Sequence, residues 1–577
     1  MIPDPHKDIV TIGIGGAAGD GVREAGQSLG TLLADLGYEV FISFTYPSLI
    51  RGGHNFSRVS FSKEKVWSDH SKLDVLIALN EESVGFHRAE LNSDAVVFAD
   101  KFEDDDLKIL GRNAVVLPMA SSSKNLGAPA ITRNSVALGA TCYLMDLHYP
   151  AMQEVLGRVF KDKKLEANIK LADIGFEFLK KNDFRHTKRL SPSAQKKEIV
   201  DGNTALARGL LAAGLDFYVG YPMTPATSIL HYLAARQVDT PVKVIQPESE
   251  LSVINMALGM SYAGKRVAIG SATGGFQLMQ EGFGFAGIAE LPLVVAVSQR
   301  QAPGTGLPTY SSQTDLRLIK HAGDGEFPKI VIAPGDTEEA FSVGATALNL
   351  AWKYQVPVIV LLDKILSEHS SSSKLDASQI TVERGRLAKA GVETGEKYGR
   401  YEISADGISP LAFPGTPDTI VKVTSYEHDS HGITIEDTEP VKEMIDKRLA
   451  KIESLKSEMK KQETVKVFGD HKAKDVLVFW GSTKGPVLEA AKFLEHPVKL
   501  VQILWMEPFD SDKVMKELAG ARRVINIECN HDAQLAGLIR EKTGVEVTHN
   551  ILRYDSRPLD PLELADEIEQ ALATDRK

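Results

Sequence analysis

Arg300 stands where an apolar run, "LPLVVAVSQR", gives way to a loop rich in Gly, Pro and Thr. A guanidinium there can project into a cleft and hold a carboxylate through two parallel N–H donors. Two acids, Glu248 and Glu250, open an apolar helical stretch, "QPESELSVINMALGMSYAG". Their plainest role is electrostatic, because carboxylates favour a helix N-terminus. Buried, one of them could instead share a proton at neutral pH. Thr224 in "YPMTP" and Thr309, nine residues after Arg300, offer hydroxyls on loops; either could simply satisfy backbone groups in its own turn. Arg51 lies beside Gly52 and Gly53 in "YPSLIRGGHNF". The backbone there can approach a phosphate or carboxylate closely, or the segment is an ordinary turn whose arginine meets solvent.

Near the N-terminus, "TIGIGGAAGDGV" places Gly13, Gly15 and Ala18 at the spacing of a dinucleotide-binding turn. Such a turn also needs an acid at the end of the next strand, about 20 residues on, to hold the ribose hydroxyls. Here that strand, "YEVFISFTYP", ends in Phe44, Thr45 and Tyr46, and its one acid, Glu39, is at its start. The turn therefore reads as tight packing or a phosphate-holding helix N-terminus rather than a nicotinamide or flavin site.

These residues need rigid elements behind them. The chain has 577 residues, too many for one core, so several domains are expected. An apolar content of 43% and a charged content of 25% are those of a folded, soluble chain. The net charge of −11 argues against sequence-independent binding to nucleic acid, which needs a basic face. No run approaches the ~20 apolar residues of a membrane span, and "MIPDPHKDIV" lacks the features of a signal peptide, so a cytoplasmic location is expected. Cys142 and Cys529 are the only cysteines, too few for a disulfide framework or a four-cysteine metal or iron–sulfur site. Both read as small buried apolar residues.

Strand-like and helix-like stretches alternate throughout, which implies α/β architecture with mostly parallel sheets. Residues 1–182 form a first α/β unit and 183–200 a polar, basic linker. Residues 201–373 form a second unit, its loops after the strands loaded with Gly, Pro and Thr, the place where parallel sheets bind ligands. "SEHSSSSKLDASQ", from Ser367, reads as a surface linker, and residues 374–470 as a connecting segment. Inside that segment, residues 441–462 read as a solvated charged helix with an apolar stripe at Met444, Leu449, Ile452 and Leu455. Residues 471–577 are a third α/β unit.

Several of these stretches together resemble one family. "GIGGAAGDGVREAGQSLG" with "YPSLIRGGHNFSRVSFS" is similar to the gamma module of 2-oxoacid:ferredoxin oxidoreductases, fused ahead of an alpha subunit. "GYPMTPATSIL" resembles the family's Tyr-Pro-Ile-Thr-Pro-Ser motif, and "SATGGFQLMQEGFGFAGIAELPLVVAVSQRQAPGTGLPTYSSQTDL" its glycine-turn and arginine segments. "YEHDSHG" resembles a further stretch, and the likeness runs in order along almost the whole chain.

The resemblance implies three α/β domains: a gamma module, a thiamine-diphosphate pyrimidine-binding domain and a transketolase C-terminal-like domain. It implies oxidative decarboxylation of a 2-oxoacid to an acyl-CoA, most closely 2-oxoglutarate to succinyl-CoA, reversibly, with electrons passed to ferredoxin. Thiamine diphosphate would be shared with a beta subunit that also carries Mg2+ and a 4Fe-4S cluster, in a dimer of heterodimers; this chain would hold no metal. By the family's pattern Glu250, with Glu248 in reserve, is the carboxylate whose hydrogen bond stabilises the imino form of the aminopyrimidine. Arg300 matches the substrate-carboxylate arginine and Thr224 the threonine that bonds the 2-oxoacid. Tyr221 and Pro222 belong to the cofactor-binding turn, Thr309 to the same pocket, and Arg51 to its closure or to CoA phosphate. Met223, Ala226, "SATGG" and "QAPGTG" depart from the family pattern around the pocket, which leaves pyruvate and branched-chain 2-oxoacids as alternatives. Two other readings stay open: a nicotinamide- or flavin-dependent oxidoreductase built on the Gly13 turn, and a non-catalytic scaffold.

Overall fold

The computed structural model describes residues 9–47, 53–186, 188, 191, 195–388 and 398–573. Among them the strands form three sheets flanked by helices, an α/β architecture whose strand pairings are mostly parallel.

The first sheet grows from Ile9–Ala17, the strand of the opening glycines. It runs parallel to Leu73–Ala78 and antiparallel to His54–Ser62, with Ala17 opposite His54. Here the glycines serve packing. A Cβ on Gly13 would stand 2.5 Å from Phe56 Cζ, and one on Gly15 2.7 Å from Ser83 Oγ. Only a bare backbone lets the neighbouring side chains approach this closely. The far edge of this sheet corrects the surface-linker reading of 367–379. Ser370–Ser373 is a buried strand between Glu39–Thr45 and Glu198–Asp201. Four serines carry no apolar pattern, so periodicity hides the strand. Its hydroxyls are absorbed by partners instead: Ser372 Oγ accepts from Val40 N at 3.0 Å, and Ser371 Oγ lies 3.0 Å from Thr337 Oγ1.

The second sheet has the spatial order Trp505–Glu507, Ile330–Ile332, Pro357–Asp363, Leu293–Gln299, Val267–Ala272, Phe217–Val219, Lys243–Ile245. All run parallel except Trp505–Glu507, an antiparallel edge strand lent by the C-terminal region. Buried on both faces, its central strands are continuous apolar runs, as parallel sheets require. The third sheet has the order Val465–Gly469, Lys499–Ile503, Asp475–Phe479, Arg523–Glu528, His549–Leu552, parallel apart from its first strand. Both cysteines lie in cores, where burial pushes their thiols up.

The charged helix spans Thr438–Met459, and its packed face is not the apolar stripe alone. Met444 and Leu455 are buried, but so are Lys447, Arg448 and Lys451 between them. Lys447 Nζ bonds both oxygens of buried Glu290, at 2.7 and 2.9 Å, and Lys451 pairs with the same carboxylate. Charges at helical spacing look solvated in a sequence. Here they face inward because Glu290, at the end of another helix, compensates them.

Candidate active site

The carboxyl ends of the second sheet's parallel strands lie along one edge, where open α/β sheets bind ligands. Four of them carry the residues singled out above. Phe217–Val219 runs out through Gly220, whose N–H donates to Ile245 O of the neighbouring strand at 3.0 Å. That bond fixes where the Tyr221–Pro225 turn begins. Asn203 Nδ2 holds its far end by donating to Pro225 O at 2.8 Å. Tyr221 is exposed on this turn and Pro222 half-buried.

Arg300 follows Leu293–Gln299 and is half-buried. Its Nη1 donates to Thr224 O at 2.6 Å, so the two residues are in direct contact. Burial lowers the guanidinium's pKa. The remaining N–H groups of the fork stay free to engage a carboxylate.

Glu250 begins the helix Glu250–Tyr262, after Ser249, whose side chain accepts from Ser252 N. It is 4% exposed, and its Oε1 is buried without a hydrogen-bond partner among the described residues. An unpaired buried acceptor costs free energy unless something outside the chain bonds it. Gly275, in the short helix Thr273–Gln277 that replaces the expected glycine turn after Val267–Ala272, makes the clearance: a Cβ there would stand 2.5 Å from Glu250 Oε1 and also strike Ser271 Oγ. Ser271 Oγ in turn lies 3.7 Å from Met223 Sδ, beside Thr224. Glu250, Ser271, Met223, Thr224 and Arg300 thus form one contiguous wall. The altered "SATGG" turn keeps its glycine at the closest approach. Glu248 is exposed and bonds Ser252 Oγ, so it does not share this wall.

Thr309 is buried on the loop after Arg300, and its Oγ1 also lacks a partner. Gln301 N donates to Tyr310 O at 3.3 Å, which draws the neighbours of Arg300 and Thr309 together. Arg51 lies outside the described residues. The near end of its loop reaches the same edge: Tyr46 OH donates to Glu368 Oε2 at 3.1 Å, and Lys364 Nζ to Phe44 O at 3.0 Å. Both partners sit in the helix Lys364–Glu368, just after Pro357–Asp363. Sequence reasoning assigned no role to Ser271, Gln313 or Asp315. Only the quoted "SSQTDL" and "SATGG" segments marked them, without saying what they touch.

Among the described residues no helix is long and apolar enough to cross a membrane. The model of the family "pyruvate flavodoxin/ferredoxin oxidoreductase, thiamine diphosphate-binding" matches residues 208–447, and that of "pyruvate ferredoxin/flavodoxin oxidoreductase" matches residues 11–178. A 2-oxoacid:ferredoxin oxidoreductase alpha subunit from a Sulfolobus species is 32% identical over 97% of this chain and 96% of its own. A 2-oxoglutarate oxidoreductase subunit KorA from Mycobacterium tuberculosis is 27% identical over 94% of this chain and 89% of its own. Among solved structures, the 2-oxoglutarate:ferredoxin oxidoreductase of Magnetococcus marinus, with 2-oxoglutarate, coenzyme A and succinyl-CoA bound, superposes with a TM-score of 0.89. It is 30% identical, over 98% of this chain and 99% of that one.

Proposed function

We propose that this chain, which belongs to the 2-oxoacid:ferredoxin oxidoreductase family as an alpha subunit with a fused gamma-like domain, acts on 2-oxoglutarate. The reaction is its reversible, CoA-dependent oxidative decarboxylation to succinyl-CoA and carbon dioxide, with electrons passed to ferredoxin. The observation that carries the reaction is the partnerless, buried Glu250 Oε1 on the same wall as the Arg300–Thr224 contact; the choice of 2-oxoglutarate is supported by the likeness to the KorA subunit and to the Magnetococcus marinus enzyme. That orphaned oxygen, which the bare backbone of Gly275 lets stand where it does, fits an N–H of the aminopyrimidine ring of thiamine diphosphate.

The chemistry supplied when thiamine diphosphate is bound is nucleophilic addition to a 2-oxo carbonyl and storage of the electron pair left behind by carbon dioxide. With that cofactor bound, Glu250 Oε1 would accept the pyrimidine's N–H and hold its proton. Tyr221 and Pro222, on the turn after Phe217–Val219, would help hold the cofactor. Arg300 pairs with the carboxylate to be lost, and Thr224, anchored by Arg300, orients the 2-oxo group. Thr309 offers its free hydroxyl to the same substrate. Arg51 and the first unit's loop are assigned to CoA.

Residues 1–182 are the gamma-type unit, whose sheet also takes in Glu198–Asp201 and Ser370–Ser373; 201–373 otherwise are the pyrimidine-binding domain, and 471–577 the transketolase C-terminal-like domain, which lends Trp505–Glu507 to the second sheet. A beta subunit supplies Mg2+ and the 4Fe-4S cluster in a dimer of heterodimers. Its place is supported by exposed apolar side chains beside Glu250: Leu251, Met256 and Leu278 are 55%, 42% and 54% exposed. Apolar surface of this kind marks an interface.

Anaerobic co-expression with a beta subunit and assay of CoA-dependent viologen reduction over a panel of 2-oxoacids tests the reading. The highest kcat/KM is expected with 2-oxoglutarate. A preference for pyruvate or a branched-chain 2-oxoacid overturns the substrate, and no turnover of any 2-oxoacid overturns the reaction.

A further inference from the structure

The third sheet has a ligand crevice of its own, and the second domain fills it. From Asp475–Phe479 the chain passes to Lys499–Ile503 on one side and then to Arg523–Glu528 on the other, so the strand order reverses between Asp475–Phe479 and Arg523–Glu528. In doubly wound sheets, small ligands bind outside the carboxyl ends of the strands at such a reversal. Here Gln313 occupies it, fully buried. Its Nε2 donates to Trp480 O at 2.9 Å, and its Oε1 accepts from Cys529 N at 2.9 Å. Its own N–H donates to Cys529 O at 2.8 Å, and its carbonyl accepts from Asn530 Nδ2 at 3.0 Å. Every polar group of this residue is therefore bound to the two strand ends. Gly481 makes the room: it adopts φ +57°, and a Cβ there would stand 2.8 Å from Gln313 Nε2.

The grip extends along the loop. Gln534 Nε2 donates to Thr314 O at 2.7 Å, and the Arg557 guanidinium lies 4.2 Å from the centre of the Tyr310 ring. Tyr310 is next to Thr309 and is tied through its carbonyl to Gln301, next to Arg300. On the opposite side Asp315 closes the segment onto the second sheet, its N–H donating to Gln299 Oε1 at 3.1 Å and its carboxylate accepting from Thr273 Oγ1 at 2.7 Å.

We infer that the third domain is a positioning clasp for the substrate loop, and that Gln313, seated in that domain's own ligand crevice, is the positioning residue that sets Thr309 relative to Arg300. This rests on the reading of Arg300 and Thr309 as 2-oxoacid contacts. The clasp acts on the 2-oxoacid and not on CoA, whose proposed site is in the first unit. Gln313 touches no substrate; it acts through the three residues between it and Thr309.

Two variants test it in the full chain and in its complex with the beta subunit. Gln313→Met keeps length and loses the two side-chain bonds of the clamp, to Trp480 O and Cys529 N, while the two main-chain bonds remain; Arg557→Met removes an exposed guanidinium and leaves the core untouched. Hydrogen exchange of loop amides 301–312 is expected to rise about tenfold in Gln313→Met, with Leu293–Gln299 unchanged. KM for the 2-oxoacid is expected to rise about fivefold while KM for CoA holds, a split that a general loss of stability does not produce. Arg557→Met should show both effects more weakly, and it decides the matter if Gln313→Met does not fold. Unchanged loop exchange, or equal shifts in the two KM values, overturns the clasp. If loop exchange responds but the wild-type complex turns over no 2-oxoacid, the clasp stands and the reaction assigned to the site falls.

Discussion

Glu250 and Gly275 are packed so closely that a single methyl group on Gly275 would stand 2.5 Å from Glu250 Oε1. The glycine is thus a condition for the carboxylate's position. Gly275→Ala is expected to lower stability by about 1–3 kcal/mol through overpacking and to weaken thiamine diphosphate binding. Thermal melts with and without the cofactor check both; a Tm rise on cofactor addition equal to that of wild type would show that the clearance is not needed.

Glu250→Gln keeps size and polarity and removes the charge. If Oε1 accepts the pyrimidine's N–H and holds its proton, viologen reduction should fall by about 10²–10⁴-fold, the usual weight of a positioned acid–base group. The Tm should change little, because the replaced oxygen has no internal partner. Activity equal to wild type would remove Glu250 from the mechanism.

For Arg300, the decisive variant is lysine. It keeps the charge and loses the planar fork and the reach to Thr224 O, now bridged at 2.6 Å. The kcat/KM for the 2-oxoacid is expected to drop about 10–100-fold, with most of the loss in KM. Steady-state kinetics over the same 2-oxoacid panel measures it.

Thr309→Val exchanges a buried hydroxyl with no partner for a methyl group. A structural threonine would lose stability in this exchange. An unsatisfied one should lose none, because leaving such a group unpaired costs about 1–3 kcal/mol. The expected pattern is an equal or higher Tm with a raised KM for the 2-oxoacid. A lower Tm with an unchanged KM would place the hydroxyl's role in the fold.

Glu290 offers a pH test away from the site. Burial pushes its carboxyl up, but Lys451, Lys447 and Arg400 outweigh that and hold it well below its ordinary value of 4.5. A depressed carboxylate contributes stability that is complete above its unfolded pKa and is lost as pH falls toward the folded one. Wild type should therefore lose Tm on acidification below about pH 4.5, and Glu290→Gln should lack that part of the slope. At neutral pH the variant should be less stable by about 3–5 kcal/mol, because two buried lysines lose their counter-charge. Melting curves from pH 3.5 to 7.5 compare the two proteins.

Local pattern was enough for the α/β class, because strand–turn–helix alternation is written in periods of a few residues. It placed Arg300, Thr224 and the Glu248–Glu250 pair on or near loops after strands, and the family resemblance, not the pattern, gave them roles. It could not choose between the two acids. They share one helix turn, and only folding shows that Glu250 is buried beside Gly275 while Glu248 faces solvent. Nor could it see the strand Ser370–Ser373, the inward-facing Lys447 and Lys451, or the seating of Gln313 between Trp480 and Cys529. In each case the deciding partner is far away in the chain: Glu39 for the serines, Glu290 for the lysines, the third sheet for Gln313. Local periodicity reports which face of an element is apolar. Whether a polar side chain is buried depends on a compensating group, and tertiary structure alone brings that group within reach.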